Sequence, residues 1–193
     1  MTPGPIGLAL QMAGLFDRVG ISYALGGSLA SSFLGEPRTT VDVDFATRFP
    51  DRLLDQFLDT VSAEFYVPVD ETRRAVKAAT SFNLVHHASG LKVDVFVLGD
   101  ALLDRRQIDR RVRMTARRDP IGELWVTSAE DQVLRKLDWY KRGGSLSDRQ
   151  WRDVVGVLSV QGDSIDIADL RSTASLISLG ELLERAIGDA GLR

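Results

Sequence analysis

Residues 21–46 read ISYALGGSLASSFLGEPRTTVDVDFA, and this stretch decides how the rest of the chain is organised. Ile21, Tyr23 and Leu25 are apolar at alternate positions and predict the end of a buried strand. Gly26 and Gly27 permit close backbone approach and unusual dihedral angles, and Ser28 is expected to cap a helix over 28–34. A helix N-terminus behind a glycine turn presents backbone N–H groups, which suits phosphate oxygens. A second strand is expected over 41–46, with Asp42 and Asp44 on one face and Val41, Val43 and Phe45 on the other. Carboxylates one pleat apart repel each other unless a cation lies between them. A hard cation with oxygen ligands, above all Mg²⁺ beside a nucleotide phosphate, meets that demand.

Bulk composition describes an ordinary globular chain. At 193 residues, with 44% apolar and 26% charged residues, it suits one domain or a core with a small appended lobe. No apolar run reaches the length of a membrane span. The start, MTPGPIGLALQMAGLFDRVG, lacks a basic region ahead of its apolar residues and reads as a first helix, not a signal peptide. The absence of cysteine removes disulfides and thiolate metal sites and fits a reducing, cytoplasmic setting. A net charge of −3 argues against indiscriminate nucleic-acid binding by the whole surface. The charge is uneven, however: residues 101–118 hold seven arginines (105, 106, 110, 111, 113, 117 and 118) against Asp104 and Asp109.

Working outward, residues 6–19 carry apolar positions suited to an amphipathic helix ending at Gly20. A helix is expected over 50–60, an edge strand containing Pro68 over 64–69, and a short polar helix over 70–78. Residues 81–87 and 91–98 flank Ser89-Gly90 as a hairpin, with Lys92, Asp94 and Phe96 on one face and Val93, Val95 and Val97 on the other. Residues 100–110 read as a helix, followed by a hairpin of 111–116 and 123–127 around Asp119-Pro120-Ile121-Gly122. From Ser128, a capping residue, the chain becomes helical: 128–142, a helix from Ser147, then 166–176 and 180–190. The expected organisation is therefore an α/β part over 1–127 and a helical part over 128–193.

The order Gly-Gly-Ser, then Arg-Thr-Thr-x-Asp-x-Asp flanked by apolar residues, resembles the DNA polymerase beta-like nucleotidyltransferase superfamily. It looks most like the compact bacterial branch that includes the AbiEii and MenT toxins. The resemblance implies an α/β (α+β) fold, a mixed-sheet nucleotidyltransferase core with a C-terminal helical lobe. It implies transfer of an NMP from an NTP to an acceptor hydroxyl, with Mg²⁺ or Mn²⁺ as cofactor. Asp42 and Asp44 would bind metal and catalyse, with Gly26, Gly27 and Ser28 at the phosphates. Asp94 sits in mid-strand, where an uncompensated carboxylate is costly to bury. The superfamily's third metal-binding carboxylate maps onto it. Members of this type also carry a lysine that reaches the triphosphate in a Lys-Leu context, here Lys136-Leu137. Arg38 is a further nucleotide-binding candidate, as a triphosphate contact or by orienting the loop, and a surface salt bridge explains it equally well.

A later family motif, basic-Asp-x-x-Asp-apolar, is matched by Arg149-Gln150-Trp151-Arg152-Asp153-Val154, with Gln150 in place of the first aspartate. Asp153 is expected to face away from its own helix's apolar stripe. His86 and His87 are adjacent, face opposite sides of a strand and cannot chelate one ion together. The arginines of 105–118 suit an RNA backbone or a solvated, acid-paired face, and no aromatic residue lies between them for base stacking. An RNA acceptor such as a tRNA end, an antitoxin partner and homo-oligomerisation are the partners in view. The alternative is a silent nucleotide-binding or toxin–antitoxin partner module of the same fold.

Overall fold

The computed structural model describes residues 3–116 and 121–192. Arg117, Arg118, Asp119 and Pro120, singled out above, lie outside the described residues. The described chain is of the α/β class. It divides into two compact units, Met1–Leu29 with Thr39–Thr127, and Ala30–Arg38 with Ser128–Arg193.

The first unit is built on a mixed sheet. Its elements are α1 (Pro5–Val19), β1 (Ser22–Leu25), β2 (Val43–Arg48), α3 (Leu54–Val61), β3 (Phe65–Tyr66), α4 (Val69–Ala78), β4 (Ser81–His86), β5 (Lys92–Val97), α5 (Leu102–Asp109), β6 (Val112–Ala116) and β7 (Gly122–Val126). Helix α2 (Gly27–Leu34) begins in this unit and ends in the other. Seven strands run in the order β3-β4-β5-β2-β1-β7-β6. The two hairpins, β4–β5 and β6–β7, are antiparallel, as is β1–β2. The β2–β5 and β1–β7 neighbours are parallel.

Alternation along β1 and β2 separates two chemistries. Leu25 stands opposite Phe45 and Tyr23 opposite Thr47, all buried on one face. There Phe16 of α1 stacks on Tyr23 and on Phe57 of α3, at 5.4 and 5.8 Å between centroids, and meets Phe45 edge-on. Such pairs add to burial the quadrupole attraction of offset and edge-to-face rings. The other face carries Asp44.

Several expected features moved: the edge strand expected over 64–69 is only Phe65–Tyr66, and Pro68 stands at the start of α4 instead. Strand β2 starts at Val43 and runs to Arg48 instead of stopping at Ala46, leaving Asp42 just ahead of the strand and exposed. Thr47 is fully buried, with its hydroxyl donating to the Phe96 carbonyl (3.2 Å). Helix α2 begins one residue earlier than expected. The helix already starts at Gly27, whose φ of 59° makes the turn, so Ser28 occupies the first helical turn.

The second unit comprises the later part of α2, the segment to Arg38, and α6 (Ala129–Arg142), α7 (Asp148–Gln161), α8 (Ile167–Leu176) and α9 (Gly180–Asp189). The Ser128 hydroxyl accepts the Asp131 N–H at the start of α6, as its capping position predicts, and Ser147 accepts from Gln150 at the start of α7. Val133, Leu134 and Leu137 of α6, Val154, Val157 and Leu158 of α7, Leu170 of α8 and Leu183 of α9 form the core. Gly35 is a crossing point. A Cβ there would lie 2.7 Å from the Val157 nitrogen and 2.9 Å from the Gly156 carbonyl carbon, so the chain leaving α2 passes directly against the α7 backbone.

Candidate active site

In the first unit the carboxylates gather by strand register. Asp44 on β2 stands directly opposite Asp94 on β5 in the parallel ladder, so the two project from the same face. Neighbouring strands lie about 4.8 Å apart. Two ionised carboxylates at that spacing repel by a few kcal/mol at an effective dielectric of about 20. Asn83 of β4 flanks Asp94 on the opposite side. Asp42 precedes the strand, with its N–H on the Thr40 hydroxyl (3.3 Å).

Lys92 lies on the same face two residues before Asp94, and its Nζ is 2.8 Å from Asp94 Oδ2. The hydrogen bond to Asp94 holds the ammonium above the ordinary lysine range. Partial burial works against this, and the charges of Asp94, Asp42 and Asp44 reinforce it. All three sequence-identified carboxylates therefore bear on one cation. Among the described residues, no group of three or more acidic or histidine side chains is drawn tightly enough to hold a metal ion. The donor set nonetheless fits a hard divalent cation: oxygen ligands only, a same-face Asp pair, and a field that already attracts an ammonium.

Gly26 and Gly27 serve this carboxylate set directly. The Gly26 N–H donates to the Asp44 carbonyl (2.8 Å), tying the end of β1 to β2. Gly27 sits at positive φ, and a Cβ there would lie 2.6 Å from Asp44 Cγ and 2.8 Å from its Cβ. Glycine is thus required twice at Gly27, by dihedral angle and by space.

In the second unit the basic candidates share one acid. Asp153 is buried, its side chain only 4% exposed. Arg38 grips it with both arms, Nε to Oδ1 at 2.7 Å and Nη2 to Oδ2 at 3.0 Å, while Lys136 Nζ reaches Oδ2 at 2.7 Å. Burial alone would raise this carboxyl. The hydrogen bonds and charges of Arg38 and Lys136 outweigh it and hold Asp153 below the ordinary aspartate range. The expectation that Asp153 faces away from the packed side of its helix is wrong. Apolar periodicity cannot register a position buried by ion pairing, and only the sequence-distant Arg38 and Lys136 bring it inward. Three charges of net +1 are held in a fixed arrangement. Gln150, one turn before Asp153, has a buried Oε1 with no partner.

The histidines behave as expected: His86 is buried against Phe65 and Ser89, and His87 is exposed. The arginine-rich segment gained an aromatic that its sequence lacked. Arg113 pairs across the β6–β7 hairpin with Trp125, and the guanidinium carbons of Arg111 and Arg113 lie 4.7 and 5.4 Å from its ring centroid. Among the described residues, no helix is long and apolar enough to cross a membrane.

No protein-family model matches the sequence, and no curated protein matches it. Solved structures do. An antigenic nucleotidyltransferase-like protein from Paracoccidioides brasiliensis aligns over 94% of this chain and 91% of its own, with a TM-score of 0.58 and 20% identity. The antibiotic-resistance factor ANT(2'')-Ia aligns over 94% of both chains, with a TM-score of 0.52 and 12% identity. The chain is similar in fold to nucleotidyltransferase-like proteins.

Proposed function

We propose that this protein is a metal-dependent nucleotidyltransferase that moves an NMP from an NTP to an acceptor hydroxyl. The observation that carries the reading is the Asp44–Asp94 register pair with Gly27 packed against Asp44 at the start of a helix. Asp42, Asp44 and Asp94 would hold Mg²⁺ or Mn²⁺, which when bound would neutralise the triphosphate and favour departure of pyrophosphate. The backbone at Gly26, Gly27 and Ser28 is suited to phosphate oxygens. Arg38 and Lys136, which share Asp153, are assigned to the charge of the triphosphate.

The reaction is an in-line displacement. Asp94 accepts the proton of the acceptor hydroxyl. The hydroxyl oxygen forms a bond to the α-phosphorus, the bond from that phosphorus to the bridging oxygen of the β-phosphate breaks, and pyrophosphate leaves. RNA is the favoured acceptor, supported by the Arg111–Trp125–Arg113 stack, which unites backbone charge with an aromatic surface. The Gly-Gly-Ser and Arg-Thr-Thr-x-Asp-x-Asp motifs resemble those of toxin-type enzymes of the AbiEii/MenT kind. The contrasting reading, a silent module of the same fold, is favoured by the Lys92 ammonium on Asp94 and by Gln150 in the late motif.

Incubation with each α-³²P-labelled NTP, Mg²⁺ and total cell RNA separates the two. The enzyme reading expects label on an acceptor, lost in Asp44→Asn and in Asp94→Asn. Binding of NTP with no transfer to RNA, protein or small molecules would establish the silent module.

A further inference from the structure

Lys92 belongs to none of the roles assigned above, yet its ammonium sits on one member of the carboxylate set. On β5 it is the same-face neighbour of Asp94, two residues away, and on the adjoining chain Asp42 stands two residues before Asp44. The Asp44–Asp94 register pair therefore shares its face with Lys92, and Asp42, just ahead of β2, adds its charge to the field at the ammonium. The ammonium touches Asp94 at 2.8 Å, and the side chain is 51% exposed, so the contact can open to solvent without unpacking a core. Val85, opposite Lys92 on β4, offers no competing charge.

We infer that Lys92 is a built-in counter-cation of the Asp42, Asp44 and Asp94 set, holding Asp94 in the metal-free protein and yielding it when a divalent ion enters. The inference rests on the metal-dependent reading above. Two consequences follow from charge alone. Without a metal, the ammonium relieves repulsion between carboxylates that strand register forces together. With a metal, the same ammonium competes for Asp94 and adds a like charge beside the ion, so loading is weakened in the absence of nucleotide. Lys92 is a positioning residue: it acts through Asp94.

The test is Mn²⁺ titration of the full-length protein without nucleotide, read from the electron paramagnetic resonance signal of free Mn²⁺, alongside thermal melting. Lys92→Met and Lys92→Gln are expected to bind Mn²⁺ about three- to tenfold more tightly than the parent, the scale of one exposed charge interaction. Both should melt lower when metal-free, with the gap narrowing at saturating Mg²⁺. Lys92→Arg keeps the charge and should stay within about twofold of the parent. A lysine with only a structural role would lower the melting temperature without tightening metal, and that result overturns the inference. If the parent and all variants leave Mn²⁺ free and none gains melting temperature from Mg²⁺ with ATP, the metal-dependent reading fails and Lys92 with it. If the parent binds Mn²⁺ and the neutral variants bind no tighter, the inference about Lys92 falls alone.

Discussion

Gly27 and Asp44 are locked together: the glycine backbone lies where a side chain would strike the carboxylate, 2.6 Å from Cγ. The neighbouring Gly26 is roomier, with nothing closer than 3.9 Å to a Cβ built there. Two adjacent glycines thus have unequal duties.

Gly27→Ala is expected to destabilise the protein by about 1–3 kcal/mol through positive-φ strain and overpacking. It should also abolish Mg²⁺-dependent nucleotide binding by displacing Asp44. Gly26→Ala should cost under about 1 kcal/mol. Urea denaturation and ATP titration of both variants check this, and equal costs would remove the assignment of Gly27 to the carboxylate.

Asp153→Asn leaves Arg38 and Lys136 without their shared charge. We expect a loss of about 2–4 kcal/mol, toward the low end for a buried ion pair because the Arg38 side chain is 28% exposed and can rehydrate. The pH dependence has a definite sign. Asp153 is held below its ordinary value in the folded chain, so it takes up a proton at lower pH when folded than when unfolded. Its stabilisation is complete above the unfolded aspartate value of about 3.9 and is lost as pH falls through the folded value. Urea midpoints at pH 7, 5, 4 and 3 should show a constant gap between parent and Asp153→Asn above about pH 5, closing in acid.

At the α7 crossing the two glycines are again unequal. Gly35→Ala puts a methyl within 3 Å of the α7 backbone, which has no flexible end to yield, and should cost about 2–4 kcal/mol. Gly156 lies inside α7 with its nearest neighbour, Glu36, at an ordinary 3.6 Å. Gly156→Ala should therefore be neutral or stabilising by up to about 1 kcal/mol through helix propensity. Thermal melts of the pair decide it.

For the RNA reading, Arg111→Glu combined with Arg113→Glu should weaken tRNA retention on a filter at least tenfold and flatten its salt dependence, with ATP binding unchanged. Trp125→Ala should weaken single-stranded RNA by about 1–3 kcal/mol at constant salt slope. Salt-insensitive or absent binding by the parent would direct the search to small-molecule or protein acceptors.

Much of this was written in the chain. Alternation at Asp44 and around Asp94 depends on the two-residue period of a strand, and Ser128 and Ser147 cap because their hydroxyls suit a helix start, so these features follow from local chemistry. The hairpin at Ser89-Gly90 is local for the same reason. The boundaries of β2 were not legible, since the buried Thr47 hydroxyl finds its acceptor on a carbonyl 49 residues away on β5. Nor was the duty of Asp153: its partners lie 115 and 17 residues away, and a buried ion pair leaves no mark on hydrophobic periodicity. The unequal glycines depend on which backbone passes closest, and the Arg111–Trp125–Arg113 stack depends on hairpin register. Local sequence determined which residues form strands, turns and caps, because those preferences act within a few residues. The tertiary structure alone decided which charges meet, because charge pairing acts across space and is indifferent to separation along the chain.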